Sequence, residues 1–148
     1  MKNKPSEQDN VPAAPAIPAA IRPGLSASVE KIVPREWTIA HYDPRLPAVF
    51  STPAMIGMME VAAAKSVQPH LEPGTITVGT RIEVDHLKAC PEGSQVIAEA
   101  RLAEIRGRFL VFDVEARSGD NLLGRGRVYR AIVELQPFNS MASERDSK

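Results

Sequence analysis

Hydrophobic and polar positions along this chain follow two different periods. From Pro53 to Ala64 every residue is apolar or glycine except Glu60, and the run lies between Thr52 and Pro69. Threonine is a good N-cap, and proline suits the first helical turn because its missing N–H is not needed there. The pattern predicts a helix from Pro53 to about Val67 with Thr52 as its cap. Beyond Gly74 the period becomes two. Ile82, Val84 and His86 alternate with Arg81, Glu83 and Asp85; Leu110, Phe112, Val114 and Ala116 alternate with Val111, Asp113, Glu115 and Arg117. Such alternation marks strands buried on one face. Arg106-Gly107-Arg108 and Ser118-Gly119-Asp120-Asn121 separate these runs and read as hairpin turns. No proline occurs from Glu92 to Gln136, which suits the uninterrupted strands of a meander. Leu25 to Val33 predicts a first strand, stopped by Pro34. His41 to Phe50 contains Pro44 and Pro47 and predicts a loop with at most one helical turn.

Composition then trims the ends. The first 24 residues hold five prolines and five alanines, and the last ten are small or charged. The expectation is a disordered tail over 1–24, a folded unit over 25–138 and a second disordered tail over 139–148. Eighteen basic residues balance eighteen acidic ones, so the chain lacks the field of a general nucleic-acid binder. Cys90 is the single cysteine, which excludes an intramolecular disulfide and a multi-cysteine zinc site. His41 and His70 sit in loops with no metal-ligand spacing, and Cys90 reads as a structural thiol. Eighteen apolar residues never run together, so no membrane helix is expected. Pro12, Pro15 and Pro18 break the stretch a signal peptide would need. The chain reads as cytoplasmic.

A helix apolar all round is enclosed rather than laid on a surface. Strand, loop, enclosed helix and four antiparallel strands together suggest an α+β hotdog fold, with an antiparallel sheet wrapped around a central helix. A free strand edge in such a sheet could pair with a second copy, giving a homodimer. Glu60 is the exception on that helix. Its neighbours Ile56, Gly57, Ala63, Ala64 and Val67 are apolar or small, so its carboxylate must find a donor, shift its pKa or reach water past Gly57 and Ala64. His86 shares strand parity with Ile82 and Val84 and should face the helix. Alone, an inward histidine is most often a satisfied core residue; an inward glutamate and a hydroxyl at a helix N-cap in the same chain strengthen the catalytic reading. Thr52 and Glu60 are eight residues apart, about 12 Å along a helix, so their side chains should not meet directly within one chain.

The run from Leu46 to Glu60, then Pro69 to Gly74, Val78-Gly79-Thr80 and His86 resembles the fluoroacetyl-CoA thioesterase family of hotdog hydrolases. The likeness extends through Gly124-Arg125-Gly126 and Arg130 to Pro137-Phe138-Asn139. What it implies is an acyl-CoA thioesterase, dimeric, with Thr52, Glu60 and His86 as its catalytic set. It also implies Gly79, Thr80, Leu46 and Phe50 as substrate-binding positions. No cofactor is implied, since coenzyme A arrives as part of the substrate. The prototype has a phenylalanine lid over its acyl pocket, where this chain has Asp43 and Leu46; hydrolysis of a small acyl-CoA is therefore expected without the prototype's selectivity for fluoroacetyl. Among the seven arginines from Arg101 to Arg130, the residues Arg106, Arg108, Arg125, Arg127 and Arg130 are candidates for the CoA phosphates. Two other functions remain open on these residues: a hotdog dehydratase or hydratase, and a non-catalytic acyl-CoA-binding module.

Overall fold

The computed structural model describes residues 14–146. Its elements are β1 (Ser26–Ile32), α1 (Thr52–Val67), β2 (Thr75–His86), β3 (Gln95–Arg106), β4 (Phe109–Ser118), β5 (Asn121–Glu134) and α2 (Leu135–Asp146). The five strands form one antiparallel sheet in the order β1-β3-β4-β5-β2. The proline-free stretch gives the β3-β4-β5 meander as its pattern predicts. The strand that follows the helix does not join that meander on the near side. β2 crosses to pair with β5 and becomes one free edge of the sheet, with β1 as the other. This is the expected hotdog arrangement, with α1 in the curl of the sheet.

Val96, Ala98, Ala100 and Leu102 of β3 and Leu110, Phe112, Val114 and Ala116 of β4 supply the buried inner face. Met55, Met58, Met59, Ala62, Ala63 and Val67 of α1 pack against it. The helix lies chiefly over β3 and β1. Because it sits off centre, the sheet leaves Pro53, Gly57 and Val61 exposed. Enclosure of the whole helix, as its composition suggests, is not achieved within one chain.

Gly124 of β5 sets how closely the start of α1 approaches the sheet. A Cβ there would stand 2.6 Å from Met55 Sδ, so the methionine seats directly on the bare backbone. Gly124 is also the register partner of His86. One contact therefore brings the first turn of α1 over the end of β2.

Both expected tails are corrected where they are described. Ile21 is only 3% exposed and belongs to the core, and Ile17 packs against it. The Gly24 N–H donates to Leu102 O at 2.8 Å. Prolines bar this segment from helix and ladder, but two isoleucines suffice to anchor it as a strap. At the other end, residues 139–146 continue α2 as helix. Met141, Ala142 and Glu144 are good helix formers, and Pro137 falls in the first turn, where proline is tolerated. The remainder of both expected tails, 1–13 and 147–148, lies outside the described residues.

Cys90 is buried, and burial pushes its thiol pKa up. That is the environment of an inert structural thiol. Substituting Gly124 with valine should force Met55 off the sheet and cost about 1–3 kcal/mol, the usual range for overpacking. Chemical denaturation of the variant beside the parent checks this; an unchanged midpoint would show that α1 is not seated by this contact.

Candidate active site

Short backbone contacts hold the loop before α1 against the loop after β2. The Phe50 N–H donates to Cys90 O at 2.8 Å, the Ser51 N–H to Trp37 O at 2.9 Å, and the Glu92 N–H to Ala48 O at 2.9 Å. These contacts fix where α1 begins. The cap itself differs from the sequence reading. Ser51 is the N-cap, and its Oγ accepts from the Ala54 N–H at 3.3 Å. Thr52 is thereby released from capping. Its Oγ1 instead shares a hydrogen bond of 2.7 Å with His86 Nδ1, the direction of which depends on the imidazole tautomer. The other imidazole nitrogen, Nε2, is buried without a hydrogen-bond partner among the described residues. Leaving such a group unpaired costs about 1–3 kcal/mol, so it is a position prepared for a partner.

Beside this pair lies a cavity of about 340 Å3. Ile39, Val49, Phe50, Leu87, Lys88 and Ala89 wall it together with Thr52 and His86. Phe50 thus stands where the resemblance implies. Leu46 does not; it is exposed in the preceding loop and is not among these walls. That loop is polar and local. Asp43 accepts from Arg45, and this contact holds its carboxyl below the usual carboxylate range.

Glu60 forms a second cluster, apart from the Thr52–His86 pair. Arg130 Nη1 donates to Glu60 Oε1 at 3.2 Å, Arg130 Nε donates to Thr77 Oγ1 at 2.9 Å, and Nη2 donates to Thr77 O at 2.9 Å. Arg130 is 7% exposed. Burial pulls its pKa down and the Glu60 carboxylate opposes that fall; the guanidinium remains a cation. Gly79, the register partner of Arg130, faces the same carboxylate. A Cβ on Gly79 would collide with Glu60 Oε1, so only glycine admits the carboxylate to this spot.

Arg130 is therefore corrected from phosphate candidate to buried partner of Glu60. The signal for this was present in the sequence: Arg130 shares strand parity with Val128 and Ile132, which face inward. Thr77, which orients Arg130, was not singled out by any pattern. Thr80 does not join this cluster. A bulge between Gly79 and Arg81 breaks the alternation, and Thr80 lines a pocket with Arg81 on the outer face of the sheet, away from Glu60. The other four arginines also stand on outer positions. Arg106 pairs with Glu104, Arg127 with Asp113 at 3.0 Å, Arg108 lies over Phe109, and Arg125 is exposed.

Residues 33–136 match the family described as fluoroacetyl-CoA-specific thioesterase. The fluoroacetyl-CoA thioesterase of Streptantibioticus cattleyicolor is 34% identical over 131 residues, covering 84% of this chain and 94% of the relative. The solved structure of the fluoroacetyl-CoA thioesterase FlK matches with a TM-score of 0.75 at 35% identity, covering 84% of this chain and 96% of its own. A thioesterase superfamily member from Thermus thermophilus matches with a TM-score of 0.75 at 27% identity, covering 86% and 94%. Fold and comparisons together define an acyl-CoA thioester hydrolase on a hotdog scaffold. More particularly, the chain belongs to the fluoroacetyl-CoA-specific thioesterase family.

Replacing Arg130 with leucine should leave Glu60 without its cation and Thr77 without its donor. We expect a loss of about 1–3 kcal/mol, less than for a fully buried pair because the Glu60 side chain is 33% exposed. Arg130→Lys should recover part of it. Urea titration of the three proteins reads the effect, and equal midpoints would mean that the pair does not hold α1 to the sheet.

Proposed function

We propose that Thr52, Glu60 and His86 carry out hydrolysis of a small acyl-CoA thioester. The observation that supports this best is the half-engaged imidazole: Nδ1 is met by Thr52, and Nε2 is buried without a partner among the described residues. In the imidazolium form Nδ1–H donates to Thr52 Oγ1, and the proton on Nε2 is the one that can be passed to a leaving group. Water adds to the thioester carbonyl as its proton passes to the Glu60 carboxylate. The tetrahedral intermediate expels the thiolate, which takes a proton from the imidazolium of His86; the proton held by Glu60 then returns to the imidazole through solvent, and the products are the free acid and coenzyme A. Direct attack by Glu60 is the other route and would pass through an acyl-enzyme anhydride. Single turnover in heavy-oxygen water separates the two, because only direct attack leaves label in the protein carboxylate. The positive end of α1 lies beside Thr52 and favours the developing oxyanion.

The acyl group we propose is small and not restricted to fluoroacetyl. In place of a phenylalanine lid the loop offers Asp43, tied to Arg45, and an exposed Leu46. The cavity beside His86 would receive the thioester end of the substrate. We also propose a cytoplasmic setting, which suits a free buried thiol, and no cofactor beyond the coenzyme A of the substrate.

A homodimer completes this reading. Thr52 and Glu60 stand about 12 Å apart along α1, too far for one small acyl group to be held by both within a single chain. β2 is a free sheet edge, and Ile82 on its inner face is 39% exposed. Pairing of two β2 edges would cover Ile82 and bring a second set of these residues alongside the first.

Two measurements test the proposal. Glu60→Gln and His86→Ala should each lower turnover at least about a hundredfold, read as free thiol released from short, aromatic and long acyl-CoAs. Near-parental thiol release by Glu60→Gln would sink the catalytic assignment. Tight acyl-CoA binding with no thiol release from any of them would instead favour a binding module. In sedimentation, the full chain should run as a dimer, and Ile82→Glu should shift it toward monomer with loss of activity. A parent that sediments as a fully active monomer overturns the shared site.

A further inference from the structure

The outer face of the sheet carries a second concavity, which the hydrolytic site does not use. It holds about 360 Å3, and its walls are Thr80, Arg81, Arg106, Phe109 and Tyr129. A sheet surface is ordinarily shallow. Here two bulges, between Gly79 and Arg81 in β2 and between Leu102 and Glu104 in β3, bend the strands on either side of β4 and β5. The volume falls in the lower part of the range of about 300–1,000 Å3 found for small-molecule sites.

The walls combine aromatic rings with guanidinium groups. Arg81 lies 5.3 Å from the centroid of the Tyr129 ring. Arg108, at the tip of the β3–β4 hairpin, lies 5.8 Å from that of Phe109. The carboxylates around the group are Glu83, paired with Arg81, and Glu104, paired with Arg106 and shared with Arg127. Arg108 has no carboxylate within ion-pair distance among the described residues. Farther along the same face the charges are matched, Arg127 with Asp113 and Arg117 with Glu115. A guanidinium has five N–H donors, so one carboxylate leaves most of them free for a phosphate. Phe109 is 39% exposed, so its ring is open to stacking. An open aromatic ring beside guanidinium groups with N–H donors to spare is the recognition chemistry of a base carrying a phosphate.

We propose that this pocket binds a phosphorylated adenine nucleotide, its base against the exposed ring of Phe109 and its phosphate on Arg81, Arg106 and Arg108. Two molecules bring that group: the nucleotide end of acyl-CoA itself, or a free nucleotide acting on the enzyme from outside the reaction. The first source rests on the acyl-CoA reading above, and the second stands apart from it.

Calorimetric titration of the full chain with adenosine 3′,5′-bisphosphate tests the proposal without any turnover. Saturable binding is expected, at least about tenfold weaker for adenosine, for Phe109→Ala and for the double variant Arg81→Ala/Arg106→Ala, and weaker as salt rises. No saturable binding at millimolar ligand, or binding that both variants leave unchanged, overturns the site. Inhibition of thiol release then separates the sources. Competition against acyl-CoA but not against the matching acyl-pantetheine identifies the substrate's own nucleotide. A change in kcat with unaltered KM identifies a free nucleotide. Binding retained in a chain that hydrolyses no thioester would sink the hydrolytic assignment while leaving this pocket standing.

Discussion

Glu60 sits on a helix whose other neighbours are apolar, so its charge must be met from the sheet beneath. Arg130 meets it, and Thr77 holds the arginine through both its hydroxyl and its carbonyl oxygen. The ion pair is buried on the cationic side and open on the acidic side. That asymmetry fits a carboxylate that must be positioned and yet reachable. It also constrains the strand opposite, because Gly79 is the residue that leaves room for the carboxylate. Helix, edge strand and inner strand are thereby tied at one point.

A second tie works at the other end of α1. Met55 rests on Gly124, Gly124 is paired with His86, and the backbone of the preceding loop is clamped to Trp37 and Cys90. Those contacts leave Thr52 little choice but to face the imidazole. Capping by Ser51 matters here, since a threonine spent on the helix N-terminus could not also serve His86. The helix then acts as a rigid spacer between a hydroxyl–imidazole pair and a carboxylate held by an arginine. A chain that carries both clusters at that separation is suited to a site assembled with a neighbour.

The Gly79–Thr80 bulge serves two faces at once. Before it, strand parity turns Gly79 toward Glu60; after it, Thr80 and Arg81 both open onto the outer pocket. A regular strand could not place adjacent residues in this way, since alternation would return Thr80 and Arg81 to opposite sides. The irregularity ties the position beside Glu60 to the wall of the outer pocket.

Much of this was legible from residue pattern. Period-two runs gave β2, β4 and the inward face of His86, and the apolar run with a single acid gave α1 and marked Glu60 as a charge in need of a partner. Arg130 was legible in parity, though its charge suggested a phosphate partner instead. Other features lay beyond pattern. The face on which Thr80 lies depends on a bulge, which is a property of two strands in register, and proline content hides the two isoleucines that anchor the strap around Ile21. By itself the sequence determined which residues seek the interior, since burial preference and period are local properties of the chain. Tertiary structure decided which of them meet. Partners such as Thr52 and His86, or Glu60 and Arg130, lie 34 and 70 residues apart, and only the packing of α1 on the folded sheet brings them within hydrogen-bond reach.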